Sequence, residues 1–320
     1  MKKNKLFKLF IMLFLVISLS GCTKVLKDEN KKVITNEKTG QSITENILCR
    51  PTDKKTIEIY EKNNVDIKDL SECKNMKITG KYEGLWTTFF VRPLAFVIVK
   101  LGTLLNSSAL ALLVITIIIR LILFPLTRKS AMQSENIKNA QPELARLEKK
   151  YENKTDQESS TKKAQEMMMI YKKYKISPLS GCIFALIQMP LLFAFIEAIN
   201  RTPAIFEETF LGLQMGTTPW VAITGGKIYY LVLPILIIIT TYFSFKMNGA
   251  TGATGSPDAQ KQTKMMMNIM TIFIGFMSFT LSTAIGIYWI VSSAFTVAQN
   301  LLTHKGKKKN ASRSSRRKKL

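Results

Sequence analysis

Histidine is almost missing from this 320-residue chain: His304 is the only one, and it sits in a basic C-terminal tail. That argues against a Ser-His-Asp or Cys-His catalytic constellation. Cysteine is scarce too. Cys22, Cys49, Cys73 and Cys182 are scattered, and no Cys/His spacing fits a metal, so no metal site, cofactor or enzymatic centre is expected. The Gly-rich stretch NGATGATGSPD lacks G-K-[ST], which excludes a phosphate-binding P-loop and leaves a flexible connection. Acidic residues are outnumbered 22 to 46, giving a formal net charge of +24. Such an excess suits a nucleic-acid binder, but here the basic residues flank long apolar runs. That is the pattern of an integral membrane protein.

The first residues, MKKNKLFKLFIMLFLVISLSGC, carry a targeting signal. Lys2, Lys3, Lys5 and Lys8 form a charged start, and Leu9–Ile17 an apolar core too short to span. The closing Leu19-Ser20-Gly21-Cys22 resembles a bacterial lipobox. The expectation is a lipoprotein signal peptide at 1–21, with the Cys22 sulfur carrying a diacylglyceryl group whose two acyl chains are of the palmitate kind. Two chains anchor stably where one does not. Residues 22–84 then form a lipid-anchored extracytoplasmic segment, too polar for a large core. Cys49 and Cys73 fall in it, in a compartment that permits a disulfide. Their pairing stays open.

Five candidate spans follow: Ser107–Thr127, Ser180–Ile199, Ile228–Met247, Met265–Ser282 and Ala284–Thr303. Each is near the roughly 20 residues that cross ~30 Å of hydrocarbon. A sixth apolar run, 85–105, contains Arg92, Pro93 and Lys100 and reads as an interfacial amphipathic helix on the outer surface. With the mature N-terminus outside, five spans place the C-terminus in the cytoplasm. The tail 304–320, KGKKKNASRSSRRKKL after His304, holds nine basic residues and no acidic one, as the positive-inside rule requires. Residues 128–176 hold twelve basic and seven acidic residues and belong on the same side. The 201–227 loop is neutral and belongs outside, with Glu197 interfacial at the outer end of its span.

Within 128–176, Leu144, Leu147 and Tyr151 make one helical stripe, and Met167, Ile170, Tyr171 and Tyr174 another. Two amphipathic helices joined by a polar linker predict an antiparallel cytoplasmic hairpin. Its methionines suit either the hairpin's own core or adaptable contact with polypeptide partners.

The fold class expected is therefore an all-α polytopic membrane protein. One residue departs from it. Arg120 sits in VITIIIRLILFPLT, a charge costing roughly 3 kcal/mol at bilayer depth and by default functional. It lies about seven residues, or ~10 Å, from the inner end of its span, slightly beyond comfortable snorkelling. Thr116, four residues earlier, shares its face. Residues alone leave three readings open. These are an insertase for membrane proteins, a small-anion permease, or a membrane scaffold binding RNA through its tail. No internal repeat or paired broken helix supports the permease.

Three ordered stretches carry a resemblance: IIIRLILFPLTRKSAMQSENIKNAQPEL, YKKYKISPLSGCIFALIQMPLLFAFIEAI and IGIYWIVSSAFTVAQNLL. Together with the order of spans, over about residues 85–303, they resemble the YidC family of membrane protein insertases, in its five-span Gram-positive lipoprotein branch. The resemblance implies a five-span core over 107–303 enclosing a hydrophilic groove open to cytoplasm and lipid. A substrate's polar outer region rests there while its apolar segment slides along the third and fifth spans, without ATP. It implies a groove lined by Arg120, Thr116, Gln188, Tyr288 and Trp289. For Gln188 an interhelical hydrogen bond, and for Tyr288 and Trp289 a lipid-facing aromatic belt, are the plainer alternatives. The implied partners are nascent membrane proteins, the Sec translocon, membrane lipid and a ribosome bound by the tail.

Overall fold

The computed structural model describes residues 23–154, 156–177, 180–248 and 257–317. The signal peptide, Cys22 and most of the Gly-rich connection lie outside these residues. The molecule is a polytopic all-α membrane protein. Its long helices are α2 (Arg92–Leu105, entered through a π-helical turn at Thr87–Val91), α3 (Ser108–Tyr151), α4 (Gln157–Lys173), α5 (Ser180–Asn200), α6 (Val232–Asn248), α7 (Pro257–Met277) and α8 (Thr283–Arg317). They are preceded by a short helix, α1 (Lys54–Lys62). One two-stranded hairpin, β1 (Thr209–Phe210) with β2 (Leu213–Gln214), interrupts them.

Among the described residues four helical stretches are long and apolar enough to cross a membrane: Thr87–Leu105, Ser108–Arg128, Ile228–Met247 and Thr283–Thr303. Three coincide with expected spans. The fourth is the run read from its charges as interfacial. It is apolar enough to span because Arg92 and Lys100 are only two charges among nineteen residues. The expected span at Ser180–Ile199 is one continuous helix, α5, with Pro190 inside it. The one at Met265–Ser282 is displaced: α7 starts at Pro257 and stops at Met277, and the turn to α8 occupies 278–282.

The chain groups into two compact units, one of residues 1–116, 188–234 and 277–289, the other of 117–187, 235–276 and 290–320.

In the first unit the N-terminal segment is more ordered than its polarity led us to expect. Leu26, Ile43, Ile47, Tyr60 and Ile67 form a small core, and the Tyr60 hydroxyl donates to the Thr44 carbonyl at 2.6 Å. Asp53 caps α1 by accepting from the Thr56 N–H at 2.9 Å. Cys49 and Cys73 are joined by a disulfide. They pack with Trp86, Val91 and Ala95 and with Ala194 and Ala198 of α5.

Beside that cluster lies a buried ion-pair network that takes in Glu197. Glu197 is buried, 2.9 Å from Arg201, whose side chain is wholly buried, and it accepts from the Trp86 indole N–H at 3.0 Å. Arg201 also pairs with Glu83 and donates through Nε to the Asn46 carbonyl at 2.6 Å.

The α2–α3 corner is tight. Asn106 takes a left-handed conformation at φ 54°, and a Cβ on Gly102 would stand 2.9 Å from the Ser108 Cα, so only glycine fits there. The first amides of α3, Ser108 and Ala109, donate to the Glu208 carboxylate at 2.6 and 3.1 Å. A distant acid thus satisfies orphan N–H groups at a helix start, where the macrodipole favours negative charge.

In the second unit α3 runs on without a break through Pro125 and Pro142 to Tyr151. Its distal half packs antiparallel on α4. Ile137, Ala140 and Leu144 meet Tyr171 and Ile176, with Met167, Ile170 and Tyr174 against them. Lys150–Glu166 at 2.6 Å, Glu148–Lys163 at 2.9 Å and Glu143–Lys173 fix the register. The two methionine readings divide here: Met167 joins the core, while Met168 and Met169 are exposed.

Candidate functional site

Ile117, Ile118, Leu121 and Ile122 of α3 are exposed and face the apolar surroundings of a span. Arg120 points the other way. It is only 6% exposed, and its guanidinium donates through Nη2 to the Ser292 hydroxyl of α8. A hydrogen bond to a charged group is worth about 1.5–3 kcal/mol, comparable to the cost of holding an arginine at that depth.

Seven residues further along both helices the contact repeats. Gln299 Nε2 donates to the Thr127 hydroxyl at 2.7 Å, and that hydroxyl donates to the Leu123 carbonyl at 3.1 Å. Arg120–Ser292 and Thr127–Gln299 have the same sequence separation, 172 residues. The two helices therefore run parallel and in register over two turns, the spacing at which a seven-residue repeat keeps one seam facing its partner. The α8 side of the seam is polar. Ser292, Thr296, Gln299, Asn300 and Thr303 are all buried, on one stripe at i, i+4, i+7, i+8 and i+11. Buried polar groups in a span are costly unless bonded. Thr296 satisfies its hydroxyl on Ser292's carbonyl at 3.0 Å, and Asn300 donates to Thr296's at 2.9 Å.

The expected site residues divide between the two units: Arg120 belongs to the second, and Thr116, Gln188, Tyr288 and Trp289 to the first. Thr116 is buried and donates to the Leu112 carbonyl one turn back at 2.7 Å. Gln188 and Trp289 are half-buried. Tyr288 is not part of a lipid-facing belt. It is buried, and its ring stacks on Phe195 of α5 with centroids 4.3 Å apart.

Ser292, Thr127 and Gln299 were missed in the sequence. Their signal was available in principle, as a polar i, i+4, i+7 stripe in the last apolar helix matching the arginine's own spacing. No group of three or more His, Cys, Asp or Glu able to hold a metal occurs among the described residues.

Comparison with known proteins gives a consistent result. Residues 100–311 match the model of the 60 kDa inner membrane protein family. The chain is 35% identical over 228 residues to membrane protein insertase YidC 1 of Listeria monocytogenes, covering 70% of this chain and 74% of that one. It is 34% identical over 241 residues to membrane protein insertase YidC of Oceanobacillus iheyensis, covering 74% and 91%. It is 34% identical over 236 residues to membrane protein insertase MisCA of Bacillus subtilis, covering 73% and 85%.

Proposed function

Because this chain belongs to the 60 kDa inner membrane protein family, with the YidC and MisCA insertases it matches, we propose that it inserts other integral membrane proteins and helps them fold. It acts as a non-enzymatic factor, without cofactor, alone or with the Sec translocon.

The observation that carries the reading is Arg120, a buried guanidinium on an apolar helix, aimed at a buried polar seam. A fixed positive charge in such surroundings attracts an acidic residue in the polar outer tail of a substrate, with a Coulomb energy strengthened by the low local dielectric. The substrate's charge is thereby compensated partway across, and its apolar segment is left to partition into lipid. Thr116, Gln188, Tyr288 and Trp289 are the further residues given a substrate role in this proposal. Of these, Tyr288 holds α5 through its stack on Phe195.

The rest of the proposal follows the charge pattern. Cys22 carries the lipid anchor outside, and the tail from 304 lies in the cytoplasm, where it meets ribosomal RNA or anionic lipid. The Thr87–Leu105 helix lies along the outer surface, with Arg92 paired to Glu83 at 3.3 Å, the exposed Lys100 toward water and the apolar face toward lipid.

The test is a reconstituted insertion assay with single-span substrates whose outer tails are acidic or neutral. Arg120→Ala should block the acidic-tailed substrate and Arg120→Lys should largely support it. Equal insertion by Arg120→Ala would overturn the reading.

A further inference from the structure

The loop between α5 and α6 carries a hairpin whose tip breaks its own turn chemistry. Leu211 and Gly212 both have positive φ, 51° and 79°, as a two-residue type I′ turn demands. Asparagine, aspartate or glycine normally takes the first of these positions, and leucine is disfavoured there. Leu211 is also 84% exposed, more than any other large apolar side chain among the described residues, and open space surrounds Gly212. A strained, projecting leucine conflicts with turn preference and with water alike. Such a conflict points to function.

Hydrogen bonds fix where the tip stands. The Tyr229 hydroxyl donates to the Gly212 carbonyl at 3.5 Å, and the Gln214 N–H donates to the Tyr230 hydroxyl at 2.7 Å. Both tyrosines belong to the first turn of the Ile228–Met247 span. On its other side the same loop meets the start of the Thr283–Thr303 span: the Ala284 N–H donates to the Met215 carbonyl at 2.9 Å, and the Thr283 N–H to the Thr217 carbonyl at 2.8 Å. Trp220, exposed as well, is held by its backbone N–H on the Phe279 carbonyl. A loop bonded to the first turns of two spans stands at the level where those spans enter hydrocarbon. Tyrosine and tryptophan concentrate at that level. The sequence agrees: none of residues 209–226, TFLGLQMGTTPWVAITGG, is charged, in a chain where 21% of residues are. A water-exposed loop has no reason to avoid charge over eighteen residues, whereas one lying in the interfacial region does.

We infer that the Leu211–Gly212 turn, held by Tyr229, is a lipid anchor that inserts Leu211 into the leaflet where these two spans begin.

The full-length protein would be reconstituted into vesicles of phosphatidylcholine and phosphatidylglycerol. Leu211→Cys would be labelled with an environment-sensitive fluorophore in a Cys182→Ser background. Lys62→Cys, on the exposed face of α1, would serve as the water-facing control. The Leu211 label should be quenched several-fold more by shallow spin-labelled lipid than by aqueous iodide, and the Lys62 label the reverse. Iodide quenching at Leu211 equal to that at Lys62 would overturn the proposal by placing the tip in water. Protection from both quenchers would also overturn it, because a protein surface would then cover the tip.

Discussion

At the scale of single residues, Ser292 decides how Arg120 is presented. A guanidinium has five donors in a rigid fork, and one well-placed acceptor sets the direction of the rest. Removing that acceptor costs about 1.5–3 kcal/mol of charged hydrogen bonding. We expect Ser292→Ala to lower insertion of acidic-tailed substrates about ten-fold, and Ser292→Thr to restore most of it, since the hydroxyl returns. The effect should vanish in an Arg120→Ala background, because two residues acting as one unit are not additive. Independent, additive losses in that double-mutant cycle would show that Ser292 does not act through Arg120. Arg120 was legible in the sequence because one charge interrupts an apolar run. Ser292 was not, because serine is ordinary in a membrane helix and its partner is 172 residues away. The partners of Glu197 were hidden for a related reason. Its i,i+4 spacing to Arg201 is visible, but Trp86, which bonds Glu197, and Glu83 and Asn46, which bond Arg201, reach the pair only through the tertiary fold.

At the scale of elements, the α3–α4 hairpin was the most readable part. Its stripes of Leu144 and of Ile170 and Tyr171 meet as their spacing implies. The continuity of α3 was less readable. Pro125 and Pro142 look like breaks, since each removes an N–H bond to the carbonyl four residues back, yet both sit inside one continuous helix. The hairpin also carries a pH signature. Hydrogen bonds from Lys173 and Tyr174 hold Glu143 below the ordinary carboxylate value, and bonds from Lys150 and Tyr151 do the same for Glu166. A lowered acid pKa contributes stability that is present above the unfolded value near 4.5 and is lost as pH falls through the lowered one. Hydrogen exchange across 140–173 should therefore speed up below that value while that of α6 stays slow. Glu143→Gln with Glu166→Gln should flatten the pH response. Unchanged protection of the parent hairpin under acid would show that its apolar stripe, not the ion pairs, holds it closed.

At the scale of the whole molecule, the N-terminal segment is fastened to the first unit twice, once by packing around a disulfide and once by a buried charge. The Cys49–Cys73 bridge closes a loop of 24 residues, for which chain entropy gives about 3.5 kcal/mol. Arg201 has its backbone carbonyl on the Leu48 N–H at 2.8 Å and its side chain on Glu83, Glu197 and Asn46. Breaking a buried ion pair by removing one partner costs about 3–5 kcal/mol, because the other charge stays behind without compensation. Leu48 is the residue before Cys49, so the two fastenings share a neighbourhood and must couple. We expect reduction with dithiothreitol and Arg201→Ala each to lower the melting temperature of the purified protein, the substitution at least as much as the reduction. The combined loss should fall short of their sum. Trp86 reports the event directly, since its indole N–H is bonded to Glu197 and its ring packs in the cluster that holds the disulfide. A melting curve for Arg201→Ala that overlays the parent would show that the network is not a structural tie, and strictly additive losses would separate it from the disulfide.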